Sequence, residues 1–186
     1  YMYNKPKGMG FIVRGLQGSG KTFYANKLVQ WADPDSTVEI DMYKHWNNNG
    51  NKRQHYIQLL KCWNNSLIDY THSMKKEVDL IVVTNPFIKK WEYEIYKELA
   101  KKYNYSIYVY QLNPESKEQA KYLQTRSHHK SNILNNNYLY GKWEYDPNAE
   151  DLYIDCPELP GDSYPTQKTM YELDMELLHY KNKVSS

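Results

Sequence analysis

Between residues 11 and 28 the chain reads FIVRGLQGSGKTFYANKL. An apolar, β-branched run passes straight into a segment holding three glycines, a lysine and a threonine, and helix-forming residues follow at once. That order predicts a buried strand, a tight turn and a helix start, with Lys21 and Thr22 where the helix's unpaired backbone N–H groups point outward. Such a corner can fold in few ways, because the strand must be covered on both faces and the turn must leave its amides free. Residues 15–22 also fill every fixed position of G-x-x-x-x-G-K-S/T. Glycine at 15, 18 and 20 lets successive amides surround phosphate oxygens. Lys21 then reaches the β and γ phosphates, and the Thr22 hydroxyl ligates Mg²⁺. The expected cofactors are ATP or another nucleoside triphosphate, with Mg²⁺. The expected binding residues are Gly15, Gly18, Ser19, Gly20, Lys21 and Thr22, with Thr22 on the metal.

Hydrophobic period and breaker residues extend this corner into an alternating series. Strands are predicted at 10–14, 37–40, 78–83, 105–112 and 152–155, and helices at 20–31, 52–75, 91–103, 115–126, 131–140 and near 168–181. The alternation indicates an α/β fold of three layers, a central parallel sheet of about five strands with helices on both faces. The all-β-branched IVV at 81–83 predicts a central strand. In the helix at 52–75, Tyr56, Leu60, Trp63, Leu67, Tyr70 and Met74 recur at spacings of four and three and are expected to form one core-facing stripe. The stretch PELPGDSYP at 157–165 reads as a linker, so that 1–156 forms the main domain and 157–186 a linker with a terminal helix.

The 24 basic and 22 acidic side chains among 186 residues are nearly balanced. A polyanion would therefore have to meet a local basic cleft, for which Lys52, Arg53, Lys117, Lys121, Arg126 and Lys130 are candidates. Two cysteines, Cys62 and Cys156, without zinc-ligand spacing fit a reduced compartment. The longest apolar run, LIVV at 80–83, cannot span a bilayer, and residues 1–10 lack the apolar core of a secretory signal. A cytoplasmic protein with no membrane partner is expected, its oligomeric state open.

A triphosphate cradle identifies the donor and leaves the acceptor open. Open α/β sheets place ligands at the carboxyl ends of their strands, and the second strand ends in VEIDMYKHW. Asp41 leaves that strand tip, where a carboxylate can take the proton of a hydroxyl. Lys44, three residues on, can hold an acceptor's own phosphate.

At this point the chain resembles the bacteriophage-type polynucleotide 5′-hydroxyl kinases and related AAA-type P-loop kinase modules. The phosphate loop is followed by Asp41-Met42-Tyr43-Lys44, then by Thr84-Asn85 after the third strand, Trp91-Glu92, and TRSHHK at 125–130. The resemblance covers roughly residues 10 to 145 and implies a P-loop NTPase fold with a helical lid. It implies Asp41 as general base, Lys44 and Asn85 as acceptor contacts, and Arg126, with Lys21, as a catalytic cation. The acceptor it implies is the 5′-hydroxyl of an oligonucleotide or nucleotide.

The chain departs from that pattern at the third strand. Val82 and Val83 precede Thr84 where the family usually carries an aspartate, and Asp79 stands about 16 Å from the strand tip. Either Asp41 serves both base and metal, or the protein binds nucleotide with little turnover. Two further readings stay open: a kinase of the same fold for a sugar, nucleoside or antibiotic hydroxyl, and a nucleotide-binding regulatory module.

Overall fold

The computed structural model describes residues 5–44, 46–47, 49–127 and 135–156, together with Glu172, Met175 and Leu178. Five parallel strands form one sheet: β1 (Gly8–Gly15), β2 (Thr37–Ile40), β3 (Leu80–Val83), β4 (Tyr105–Leu112) and β5 (Glu150–Asp151). Their order is β2-β3-β1-β4-β5, so β1, not β3, is the central strand. β3 lies beside it and is still buried along its whole length, which is why its residues are uniformly β-branched or Leu. The last strand falls two residues earlier than its apolar pattern predicts. Leu152 and Ile154 are buried, but in an irregular segment that follows β5, with Leu152 N–H donating to the Gln111 carbonyl.

Helices α1 (Lys21–Val29), α2 (Lys52–Lys75), α3 (Trp91–Lys102), α4 (Lys117–Thr125) and α5 (Asn136–Lys142) flank the sheet, with a 3-10 turn at Pro34–Ser36 before β2. Alternation along the strands gives each face its own core. On one side Phe11, Val13, Val82 and Leu112 meet Tyr24, Ala25 and Leu28 of α1 and Leu123 of α4. On the other, Ile12, Ile40, Ile81 and Val83 meet Tyr70 and Met74 of α2 and Tyr93, Tyr96 and Ala100 of α3. The predicted three-layer α/β architecture is therefore the observed one. The linker at 157–165 and residues 128–134 lie outside the described residues. So does most of the helix expected at 168–181, of which Glu172, Met175 and Leu178 are helical.

The α2 stripe requires a correction. Asn51 and Gln54 form a reciprocal capping box that fixes the start of the helix. The second half behaves as expected, with Tyr70 and Met74 fully buried. In the first half, however, Tyr56, Leu60 and Trp63 are exposed, and the buried positions are His55, Leu59 and Cys62. The cause is length. Both helices end next to residues of positive φ, Glu77 after α2 and Asn104 after α3, and each then enters a strand paired with β1. With 24 residues against 12, α2 overshoots α3 by about 18 Å, so α3 covers only its last three turns. The side-chain pairs follow this alignment: Tyr70 packs on Tyr96, and Trp63 on Trp91, the first residue of α3.

Candidate active site

The loop from Gly15 to Lys21 is held open by partners on several elements. Gly18 and Gly20 have φ of 74° and 109°, values an L side chain resists. A Cβ at Gly18 would stand 1.9 Å from the Leu123 carbonyl oxygen, so the loop packs directly on α4. Asn136, fully buried at the start of α5, accepts from Gln17 N–H at 3.2 Å and donates to the Gln17 carbonyl at 2.8 Å. Arg126 Nε donates to the Gly18 carbonyl at 2.7 Å, and its Nη1 to the Asp155 carbonyl at 2.6 Å. The Ser19 hydroxyl turns inward to the Leu16 carbonyl at 2.7 Å. Gly15 N–H is taken by the Pro86 carbonyl at 3.1 Å.

No side chain caps the N-terminus of α1, and no acid lies in its first turn. Its amides and dipole therefore face the cleft, as anion binding requires. Lys21 Nζ reaches back to the carbonyls of Gly15 and Leu16, at 2.9 Å each. Burial pushes its pKa down to about 8, while the Asp41 carboxylate acts in the opposite direction. The lysine is thus within electrostatic reach of the acid on the next strand.

The loop floors a cleft of about 670 Å³, a volume suited to a nucleotide. Its two ends differ because strands from opposite sides of β1 build them. Toward β5 the walls are Phe23, Tyr24, Arg126, Tyr153 and Asp155, with the Tyr24 hydroxyl fixed on the Tyr153 carbonyl. Toward β2 and β3 they are Gln17, Asp41, Tyr43 and Thr84. Thr84 and Asp41 are neighbours because the sheet register sets Val83 beside Ile40, and Thr84 N–H donates to the Ile40 carbonyl at 2.9 Å. Asp41 Oδ1 accepts from Tyr43 N–H at 2.9 Å. Burial, reinforced by Asp41, keeps the Tyr43 hydroxyl protonated; the nearby Gln17 amide pulls the other way.

Of the predicted residues, Gly18, Ser19, Gly20, Lys21, Thr22, Asp41 and Arg126 therefore converge on one cleft, while Gly15 lies behind it at the end of β1. Lys44 and Asn85 do not line it. Lys44 N–H closes a turn on the Asp41 carbonyl at 3.1 Å, and the residue borders a second groove, between β2 and α2, that shares Asp41 with the cleft. Asn85 is buried beneath the strand tip. Its Oδ1 accepts from Met42 N–H at 3.0 Å and its Nδ2 donates to the Ser66 hydroxyl at 2.8 Å, so it positions the Asp41 turn. Lys117 and Lys121 lie on the outer face of α4. The sequence reading missed Asn136, Tyr153 and Asp155; the Asn-rich stretch at 134–138 was the one signal of the first.

The oxygen donors present suit a hard divalent cation: the exposed Thr22 hydroxyl and the Asp41 carboxylate, both on the cleft wall beside the phosphate loop. Asp79 lies at the other end of the sheet, its carbonyl accepting from Met9 N–H near the start of β1.

No curated protein matches the chain. Among solved structures it is similar to a gluconokinase from Sinorhizobium meliloti, at 11% identity over 97% of this chain and 98% of that one, with a TM-score of 0.53. Kti12 of Chaetomium thermophilum in complex with ADP-AlF3 gives 13% identity, 93% and 97% coverage and a TM-score of 0.53. The APS kinase CysC of Mycobacterium tuberculosis with AMPPNP and APS gives 12% identity, 98% and 100% coverage and a TM-score of 0.50. At these identities the likeness establishes the fold, that of P-loop kinases. Residues 11–137, which run from the first strand through the phosphate loop to α5, match the family model described as AAA domain, and the chain belongs to that family.

Proposed function

We propose that the protein is an ATP-dependent phosphotransferase that moves the γ-phosphoryl group to a hydroxyl acceptor, most specifically the 5′-hydroxyl of a nucleotide or oligonucleotide. The observation that carries this reading is the pairing of an anion cradle with a carboxylate across one cleft. Asp41 is close enough to Lys21 to oppose the fall in its pKa. The loop amides and Lys21 bind and orient the triphosphate, and the aromatic end of the cleft receives the base. Asp41 accepts the proton of the attacking hydroxyl. Mg²⁺ held by Thr22, with Asp41 as the available carboxylate, would draw charge from the phosphate oxygens. Arg126 fixes the Gly18 carbonyl and adds positive charge at the base end.

One observation favours a second reading. Val82 and Val83 leave the β3 tip without a carboxylate, which suits a protein that binds nucleotide and turns over slowly. Similarity to a gluconokinase and an APS kinase keeps a small-molecule acceptor in view. Labelled γ-phosphate transfer, assayed on 5′-hydroxyl oligonucleotides, nucleosides and sugars beside an ATP-binding measurement, separates the three. Transfer to oligonucleotides supports a 5′-hydroxyl kinase. Transfer only to a small acceptor, or binding without transfer, overturns it.

A further inference from the structure

The overhanging half of α2 has a chemistry of its own. Tyr56, Leu60 and Trp63 form an outward stripe along it, and Trp91, 65% exposed, closes its lower end through edge-on contact with Trp63 at 6.2 Å. From Lys52 to Trp63 the helix carries Lys52, Arg53 and Lys61 and no carboxylate, in a chain whose charges otherwise nearly balance. On the helical wheel Lys52 and Arg53 flank the stripe on either side. Lys89 and Lys90 stand just before Trp91, each within 4.0 Å of a Glu144 carboxylate oxygen and so partly neutralised. The inner face of the same half-helix, Leu59 and Cys62, packs on Met42 and Tyr43, which directly follow Asp41. The half-helix that carries the stripe therefore packs on the turn that follows the candidate base, and its Cys62 lines one groove with Asp41.

Flat, exposed aromatic rings flanked by cations suit a ligand that alternates π-faces with negative charges. An acidic peptide would supply the charge without the faces, and an apolar protein surface would leave Lys52 and Arg53 against it unpaired. We infer that the first three turns of α2, with Trp91, form a stacking platform for a single-stranded nucleic acid, its bases on Tyr56, Trp63 and Trp91 and its phosphates at Lys52 and Arg53. The inference rests on the reading of an oligonucleotide acceptor and specifies a strand of several nucleotides, one end at Asp41 and the rest along α2.

The test is binding of a 3′-labelled oligothymidylate of about 12 nucleotides to the full chain, followed by fluorescence anisotropy across a salt series. Trp63→Ala/Trp91→Ala should weaken binding by about tenfold or more, since two stacking faces are lost. Lys52→Ala/Arg53→Ala should flatten the plot of log affinity against log salt by about 0.7 per lost phosphate contact. Trp91→Ala alone repeats the test should the double variant fail to fold. Binding that is absent, or unchanged in these variants, overturns the platform. So does a wild-type dimer that Trp63→Ala/Trp91→Ala dissociates, because the stripe then faces a second copy. Phosphoryl transfer to a dinucleotide, which has too few bases to occupy Tyr56, Trp63 and Trp91 together, keeps the two readings apart. Transfer to it with no aromatic effect on the longer strand sinks the platform alone. Aromatic-dependent binding without any transfer sinks the kinase reading alone.

Discussion

Asn136 grips the backbone of Gln17 on both sides of its Cα, accepting from its N–H at 3.2 Å and donating to its carbonyl at 2.8 Å across 119 residues of sequence. A third bond runs from Asn136 Nδ2 to the Ala120 carbonyl at 3.0 Å. One side chain thus joins α4, α5 and the phosphate loop, and it does so with no exposed surface.

Asn136→Ala leaves those buried groups unpaired and should cost about 1–3 kcal/mol for each group that stays unsatisfied. The loop loses the clamp that shapes it, so affinity for ADP should fall by about tenfold. Thermal melts with calorimetric titration read both quantities. Unchanged ADP affinity in a destabilised variant would show the clamp to be structural only.

Asp41→Asn keeps the shape of the strand tip and its acceptor oxygen for Tyr43 N–H. Turnover should drop about 10²-fold or more, with nucleotide affinity nearly intact, because a positioned base contributes about 10²–10⁴. Steady-state kinetics beside a binding isotherm make the comparison, and undiminished turnover removes Asp41 from the base role.

Lys21 gives nucleotide binding a pH dependence. Its pKa in the free protein is lowered to about 8, chiefly by burial, and a bound triphosphate favours the charged form. Below pH 8 the lysine is already protonated and affinity should be flat. Above it, binding must take up a proton, so affinity should fall by about tenfold per pH unit until the pKa of the bound state is reached. The sign for folding is opposite. The unfolded lysine keeps its proton up to its ordinary, higher pKa, so this group adds stability as pH rises from about 8 toward that value. Titrations in buffers of different ionisation heat detect the proton, and Lys21→Arg should remove the slope.

Arg14 carries a buried guanidinium without surface exposure. It donates to the carbonyls of Phe87, Ile88 and Glu144 and to Gln111 Oε1 at 2.8–2.9 Å, and lies 4.1 Å from the Trp143 ring centroid. Burial lowers its pKa, with Tyr93 and Asp146 opposing. Arg14→Met strands these neutral acceptors and should destabilise the fold by about 1–3 kcal/mol for each one that stays unsatisfied. Denaturant unfolding measures it, and a loss under about 1 kcal/mol would mean the acceptors find water.

The phosphate loop was legible because its chemistry is local: one octapeptide carries the glycines, the lysine and the hydroxyl together. Asp41 was legible because a short strand ends beside it. Asn136, Tyr153 and Asp155 were not, since Asn136 and Tyr153 act across more than a hundred residues, Asp155 serves Arg126 through its backbone carbonyl, and no local pattern marks an asparagine as a clamp. The α2 stripe was half legible. Periodicity shows which residues share a face, but whether that face is covered depends on the length of α3. The β2–α2 groove placed Lys44 away from the cleft for a similar reason: the turn at 41–44 is set by Asn85, which lies 43 residues beyond Met42.

Gly18 fits against the Leu123 carbonyl so closely that the turn and the helix behind it can only shift as a single body. The shape that receives a phosphate is accordingly made when the chain folds, and the arriving ligand has little left to order. Linkage then runs in both directions. Damage anywhere along α4 should be felt as weaker nucleotide capture, and saturation with nucleotide should protect that helix from hydrogen exchange although no atom of its middle turns meets the ligand.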